Sequence, residues 1–229
     1  MRRLVTLFLA VLLLFCLPGC GPVRRIVDSA EPQFRPPQNG DLIATIVTGK
    51  GEIQVLLFAE YAPQAVENFR LLAGKGYYDN TVFFRTKVDF VAQAGDPTGT
   101  GNGGQSAWGT PFPAEISSSL YHFSGALCMA ATAGAPPMVQ SQFYFVATPP
   151  SLPEETLQAL AEAGYSAEVI NAYRQAGGAP YLDHTDTVFG QVMSGMGVVD
   201  AIARGATGKD GMPKTPVVIE SVRVEAFAS

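Results

Sequence analysis

The sequence predicts a mainly β protein in which a closed or nearly closed antiparallel sheet carries helices over its ends. Many short β-branched or apolar runs recur along the chain, and some of them alternate apolar with polar residues. Apart from one inserted segment, only two amphipathic stretches with helical spacing lie among these runs, far apart in the sequence. The chain has 229 residues, 47% of them hydrophobic, which is enough for one ordinary core.

The first 19 residues have the features of an export signal. Arg2 and Arg3 precede an apolar run from Leu4 to Leu17, which is too short to span a bilayer as a mature helix. The residues LPGC that end at Cys20 resemble the lipobox of bacterial lipoproteins, in which the cysteine is lipidated and becomes the mature N-terminus. We therefore expect a signal peptide at 1–19 and a lipid on Cys20. An uncleaved anchor and an ordinary secretory signal are the alternatives.

Residues 20–39 are rich in Pro, Arg and Gln with little apolar periodicity, and they predict a flexible tether before a domain at 40–229. Removal of 1–19 changes the net charge from −5 to −7, since two arginines and no acid are lost. An acidic domain without a basic cluster argues against a nucleic-acid partner. Cys128 is the one cysteine of this domain, which excludes an internal disulfide, and its apolar neighbours predict a buried side chain.

The first elements of the domain follow from local patterns. Leu42–Thr48 and Glu52–Phe58 flank a Gly-Lys-Gly turn and predict a β-hairpin. Pro63 suits the first position of a helix that ends at Gly74 or Gly76.

The stretch 90–104 combines a strand with a glycine-rich loop. The strand should place Phe90, Ala92 and Ala94 on one face and Val91 and Gln93 on the other. The glycines that follow predict sharp turns and an open backbone. Later strands are predicted at Ala126–Ala130, Gln142–Ala147, Thr187–Met193 and Val217–Phe227, and a second helix at Met196–Arg204.

Residues 149–180 do not fit this pattern. They contain two stretches with helical spacing on either side of Gly164, and Ser166 is a candidate cap for the second. The segment predicts a helical hairpin inserted between two strands, either as a surface elaboration or as a lid or wall of a substrate site.

The sequence gives little support for a nucleotide site or a metal site. Gly99, Gly101 and Gly104 match the G-x-G-x-x-G pattern of dinucleotide-binding sites, but the residues that follow do not predict the helix that such a site requires. His122 and His184 are the two histidines, too few for a three-histidine zinc site. We expect no metal and no cofactor.

Five motifs occur in the order found in one protein family. They are VENF (66–69), GYYDNTVFFR (76–85), FVAQAGDPTGTGNGG (90–104), SQFYF (141–145) and VFGQVMSGMGVVDAI (188–202). With these motifs, the chain from Leu42 to Glu225 resembles the cyclophilin-type peptidyl-prolyl cis-trans isomerases. The resemblance implies a closed eight-stranded antiparallel barrel capped by two α-helices, with the active groove on its outer face. The hairpin at 149–180 lies outside the family's core.

The resemblance also implies roles for single residues. Arg85 matches the catalytic arginine of the family, and Tyr181 stands where many relatives have tryptophan. The substrate-binding positions are Phe90, Val91, Gln93, Gly101, Ala130, Ala131, Gln142, Tyr144, Tyr181 and Leu182. The implied partners are proline-containing polypeptides.

Two positions depart from the family pattern. Ala131 stands where the family usually has asparagine, Asp186 where it usually has histidine, and the segment 131–140 is longer than usual. The sequence thus leaves two functions open. The first is a monomeric, lipid-anchored, extracytoplasmic isomerase that assists the folding of exported proteins. The second is a non-catalytic lipoprotein that binds proline peptides or acts as a chaperone.

Overall fold

The structure is a computed structural model that describes residues 27–132, 134–208 and 211–228. The predicted signal peptide and Cys20 lie outside these residues. Within the described ranges, no helix is long and apolar enough to cross a membrane.

In the described part of the chain, nine antiparallel strands form one curled sheet. They are β1 (Leu42–Thr48), β2 (Gly51–Leu57), β3 (Arg85–Lys87), β4 (Val91–Ala94), β5 (Phe112–Pro113), β6 (Ala126–Thr132), β7 (Met138–Val146), β8 (Val188–Ser194) and β9 (Ile219–Ala226). Their order across the sheet is β3-β4-β7-β6-β8-β2-β1-β9, and β5 pairs with β7. The helices are α1 (Pro63–Gly74), α2 (Glu154–Glu162), α3 (Ala167–Ala176) and α4 (Met196–Ala203), with 3-10 turns at Pro32–Phe34 and Pro180–Leu182.

The mainly β, antiparallel class is confirmed, whereas the closed eight-stranded barrel is not. Among the described residues the edge strands β3 and β9 do not pair, and the sheet is a half-barrel. Backbone contacts join the segment before β3 to the start of β9. They include a bridge between Val82 and Val218, a 3.0 Å bond from the Phe83 amide to the Val217 carbonyl, and a 2.8 Å bond from the Ile219 amide to the Thr81 carbonyl. β3 has only three residues, which are too few to pair along the eight residues of β9.

Alternation along β7 separates the interior of the half-barrel from its outer face. Phe143 and Phe145 point into the main core, where Phe143 packs edge-on against Phe69 of α1 at 5.4 Å between ring centroids. Tyr144 and Val146 point the other way and join a second apolar cluster on the outer face. This outer cluster also contains the buried Cys128 of β6.

The prediction for the faces of β4 is right for the strand itself and wrong for Phe90. Ala92 and Ala94 belong to the main core and Val91 to the outer cluster. Phe90 also packs on the outer cluster. It precedes the strand, in a turn where its amide donates to the Lys87 carbonyl over 3.1 Å, so strand alternation does not apply to it.

The inserted hairpin is confirmed as α2 and α3. Ser166 caps α3 by accepting a 3.2 Å hydrogen bond from the Val169 amide. The apolar residues of both helices form a third cluster against Phe123 of the main domain, joined by Val27 and Phe34 from the N-terminal side. The hairpin is therefore packed along its length.

The described part of the predicted tether, residues 27–39, is packed on the domain rather than flexible. Gln33 is buried, and its side chain pairs with the backbone of Tyr121 through bonds of 2.9 and 2.7 Å. Asp28 exchanges hydrogen bonds with the side chain of Gln175 on α3. Composition suggested free chain, but the inserted hairpin gives this segment a surface to bind.

Candidate functional site

A groove lies on the outer face of the sheet, between the ends of β3, β4, β6 and β7, the glycine-rich loop and the 180–182 turn. Its lining residues are Phe84, Arg85, Phe90, Val91, Gln93, Thr100, Gly101, Asn102, Ala130, Ala131, Tyr144, Leu182, Asp186 and Met212. The structure thus brings most of the predicted site residues into one depression. Gln142 and Tyr181 are not among the residues that line it.

Arg85 is exposed and stands at the edge of the groove. It is the first residue of β3, opposite Gln93 in the register with β4. The guanidinium donates from Nη1 to Oε1 of Gln93 over 3.0 Å, and its Cζ lies 5.9 Å from the centroid of the Phe90 ring. The bond to Gln93 uses part of the fork of donors, and the guanidinium remains beside the apolar floor of the groove.

Gln142 lies behind the groove and supports it. The amide of Gln93 donates to Oε1 of Gln142 over 3.0 Å, and the amide of Gln142 donates to the carbonyls of Gly101 (3.0 Å) and Gly103 (2.7 Å). Arg85 is thereby linked through two glutamines to the glycine-rich loop. Gln142 does not line the groove itself, and its predicted contact with substrate stays a prediction.

The glycine-rich loop is folded around the buried carboxylate of Asp96. Asp96 accepts hydrogen bonds from the amides of Thr98 (2.8 Å), Gly101 (2.7 Å) and Gly103 (3.0 Å). Burial raises the pKa of this carboxyl, but the hydrogen bonds outweigh that effect and the pKa is lowered. A Cβ at Gly103 would lie 2.3 Å from Asp96 Oδ1, so the loop requires glycine there.

Asp96 is a residue that the sequence prediction missed. Its signal was present, since an aspartate that directly follows a strand and precedes several glycines is a frequent acceptor for loop amides. Because the loop amides point inward to this carboxylate, they are not free to hold a phosphate. The loop lines the groove with the bare backbone of Gly101, as the glycines predicted, and with its neighbours Thr100 and Asn102.

The floor of the groove is apolar with one polar contact. Val91, Tyr144 and Leu182 pack together in the outer cluster. The hydroxyl of Tyr144 donates to Oδ2 of Asp186 over 2.7 Å. Burial raises the pKa of this tyrosine strongly, and Cys128 and Asp186 raise it further, so the hydroxyl stays protonated and acts as a donor.

Tyr181 and the two alanines stand at the rim. Tyr181 is 68% exposed, and its ring centroid lies 6.0 Å from that of Phe90. Ala130 and Ala131, near the end of β6, are partly exposed and also line the groove. Thr100 and Asn102 on the loop also line the groove, and they were not predicted because they lie within an otherwise glycine-rich run.

The described residues contain no group of three or more His, Cys, Asp or Glu side chains that could hold a metal ion. The arrangement is that of a cationic hydrogen-bond donor at the edge of an open groove, which has an apolar floor and polar side chains around it. Such a site can bind an extended peptide and stabilise charge that develops within it.

Comparisons with known proteins agree with this arrangement. The family model "Cyclophilin type peptidyl-prolyl cis-trans isomerase/CLD" matches residues 43–224. Proteins of Staphylococcus epidermidis and Staphylococcus aureus, whose names carry the term peptidyl-prolyl cis-trans isomerase, are each 38% identical over 188 residues, which is 82% of this chain and 94% of theirs.

Solved structures show the same likeness. The crystal structure of a Cryptosporidium parvum cyclophilin type peptidyl-prolyl cis-trans isomerase matches with a TM-score of 0.65 at 26% identity, over 82% of this chain and 99% of that one. A second structure of that protein, in the presence of the dipeptide Ala-Pro, matches with a TM-score of 0.64 at 27% identity, over 81% of this chain and 99% of that one. The family match includes the groove and part or all of every strand, and the chain belongs to the cyclophilin-type peptidyl-prolyl cis-trans isomerases.

Proposed function

We propose that Arg85 is the catalytic residue of this isomerase and that the groove around it binds the X-Pro segment of a polypeptide. The observation that carries the proposal is the position of the guanidinium, which Gln93 holds at 3.0 Å beside the apolar floor. A free surface arginine would have no fixed direction. This one is oriented by a neighbour that is itself hydrogen-bonded to Gln142.

The chemistry needs only a well-placed donor. Rotation about an X-Pro bond has a barrier of about 18–20 kcal/mol because it breaks the resonance of the amide. In the twisted transition state the proline nitrogen becomes pyramidal and regains a lone pair. An N–H of Arg85 would donate to that lone pair, which exists only in the transition state, so the interaction lowers the barrier.

The rest of the groove would hold the peptide. Val91, Tyr144 and Leu182 form the apolar surface for the proline ring, with Phe90 at its side. Gln93 and the backbone of Ala130 and Ala131 offer hydrogen-bonding groups to the peptide backbone. On the loop side, Gly101 lines the groove with backbone alone.

The binding site can be tested by NMR with a short Ala-Pro-containing peptide. We expect shift changes at Phe90, Val91, Leu182 and the glycine-rich loop, and exchange cross-peaks between the cis and trans forms of the peptide. An Ala-Gly peptide of the same length is the control, and it should leave the groove unperturbed. Perturbations confined to another surface would exclude this groove as the binding site.

We also propose that the protein acts outside the cytoplasm as a monomer, held to a bacterial membrane by a lipid on Cys20, and assists the folding of exported proteins. The support is the sequence of the N-terminus, with two arginines, an apolar run and LPGC. Labelling with palmitate should be abolished by Cys20→Ser, and processing should be blocked by globomycin. Unlabelled protein released from the cells would contradict the lipid anchor.

A further inference from the structure

Asp183 is a buried carboxylate directly beside the groove. It follows the 180–182 turn, and its side chain is only 1% exposed. Burying an ionised carboxylate costs several kcal/mol unless its oxygens are hydrogen-bonded. The position of Asp183 therefore depends on the donors that surround it.

Those donors come from two parts of the chain. Oδ1 accepts a 2.8 Å bond from the amide of His122 and lies 3.1 Å from Nδ1 of the same residue. Oδ2 accepts bonds from the hydroxyls of Tyr173 (2.7 Å) and Tyr165 (3.0 Å). Burial raises the pKa of both tyrosines and the charge of Asp183 raises it further, so both hydroxyls remain donors.

Both tyrosines belong to the inserted hairpin. Tyr173 is on α3, fully buried, with its ring centroid 4.5 Å from that of Phe123. Tyr165 is in the connection between α2 and α3. The hairpin is thus bonded to the segment that carries one wall of the groove, and this wall lies outside the hairpin's own apolar cluster.

The two side chains of that wall differ in their packing, since Leu182 packs on the outer cluster and Tyr181 is largely exposed. Tyr181 is 68% exposed and has one aromatic neighbour, Phe90, at 6.0 Å. The backbone of the turn is continuous with Asp183, whose amide donates to the Pro180 carbonyl over 3.0 Å, while the Leu182 amide donates to Ala179 over 2.9 Å. A displacement of the Asp183 carboxylate would therefore shift Tyr181 and Leu182.

We propose that Asp183 is a positioning residue for substrate binding. Tyr165 and Tyr173 of the inserted hairpin hold its carboxylate, and the carboxylate in turn fixes the position of the Tyr181–Leu182 wall of the groove. The inference rests on the proposed substrate groove. It gives the insertion a function in substrate affinity, where a surface elaboration would contribute to stability alone.

The test uses the full-length chain with Tyr165→Phe and Tyr173→Phe combined. We expect the Kd for an Ala-Pro peptide to rise five- to tenfold while the turnover at saturating peptide stays within twofold. The methyl resonances of Leu182 should shift in the free variant. Should the double variant fail to fold, Tyr165→Phe alone removes the more exposed hydroxyl, and a twofold or larger rise in Kd is expected.

The matched control is Val169→Ala, which removes packing from the same cluster and leaves both hydroxyls in place. It should lower thermal stability without changing Kd or the Leu182 methyl shifts. If both sets of variants change Kd equally, or neither does, the proposal is wrong. These outcomes differ from a failure of the proposed groove, because in that case the peptide would not perturb the groove of the wild-type protein.

Discussion

The guanidinium of Arg85 and the side-chain amide of Gln93 face each other across paired strands and share a 3.0 Å hydrogen bond. Gln93 is in turn bonded to Gln142, whose own amide binds the carbonyls of Gly101 and Gly103. An exposed arginine has many rotamers of similar energy, and this series of bonds selects among them. The orientation of the Arg85 guanidinium therefore depends on Gln93 and, behind it, on Gln142.

Gln93→Ala should lower kcat/KM about tenfold, equivalent to ~1.4 kcal/mol of transition-state stabilisation, because Arg85 would lose its orienting acceptor. A coupled isomerase assay measures this. Gln54→Ala is the control, since the side chain of Gln54 bonds an exposed neighbour, Glu52, away from the groove, and its loss should have no effect. Equal activity of Gln93→Ala and the wild type would show that Arg85 needs no such support.

The carboxylate of Asp96 should make stability depend on pH. Its folded pKa is lowered by the amides of Thr98, Gly101 and Gly103, so its contribution is complete above the unfolded pKa, near 3.9, and is lost as the pH falls through the folded value. Asp96→Asn should cost about 1–3 kcal/mol near neutral pH. Urea unfolding from pH 7 to pH 2.5 should show this difference shrink towards zero in acid.

Asp89→Asn is the control for that series, because Asp89 is exposed and should show no comparable loss at any pH. A difference between wild type and Asp96→Asn that stays constant down to pH 2.5 would contradict the role given to the Asp96 charge.

Tyr144→Phe should separate the ring of Tyr144 from its hydroxyl. The hydroxyl bonds Asp186, so its loss should reduce the free energy of unfolding by about 1 kcal/mol. The ring forms the floor of the groove, so peptide affinity should stay within about threefold in Tyr144→Phe and fall at least tenfold in Tyr144→Ala. A tenfold loss of kcat in Tyr144→Phe would instead mean that the hydroxyl acts on the substrate.

Two glycines of the inserted hairpin should differ sharply on replacement by alanine. Both have positive φ, but a Cβ at Gly164 would meet nothing within 4 Å, whereas one at Gly177 would lie 1.8 Å from the Pro149 carbonyl oxygen. Gly164→Ala should cost about 1–2 kcal/mol. Gly177→Ala should cost clearly more, since the backbone of Pro149 must move. Thermal unfolding that ranks the two variants in the opposite order would contradict the packing described here.

Local patterns were sufficient for the elements whose residues alternate or recur at helical spacing. The start of α1 at Pro63, the start of α4 at Met196 and the Ser166 cap of α3 are all where the sequence predicts them. In each case the signal comes from the fixed backbone of proline, a capping side chain or an apolar stripe within a few neighbouring residues.

Contacts between distant parts of the chain were not predictable from such patterns. Gln33 pairs with the backbone of Tyr121, 88 positions away, so a segment with the composition of a linker is packed. Asp183 binds tyrosines of the inserted hairpin, whose apolar stripe alone was visible in the sequence. The sheet has an open edge because β3 is short. The family motif identifies the residues of this strand but does not determine how long the strand is.

The residues of the site were predictable because they lie within the sequence motifs of the family. Arg85, Phe90, Val91 and Gln93 lie within twelve residues of one another and line the same groove. Gln142 and Tyr181 show the limit, since both occupy family positions and yet stand behind the groove or at its rim. Whether a side chain lines a groove or supports it depends on its hydrogen-bond partners, and these become visible only in the folded chain.

The central claim is that Arg85 supplies the donor for the twisted X-Pro bond. The most direct measurement is kcat/KM for an X-Pro peptide in the wild type, Arg85→Ala and Arg70→Ala, since Arg70 is an exposed arginine of α1 that does not line the groove. We expect Arg85→Ala to lose about 100-fold or more while it still binds the peptide, and Arg70→Ala to stay within about threefold of the wild type. Equal rates in the wild type and Arg85→Ala on every X-Pro peptide would contradict the claim. Such a result would favour a groove that binds proline segments without catalysing their isomerisation.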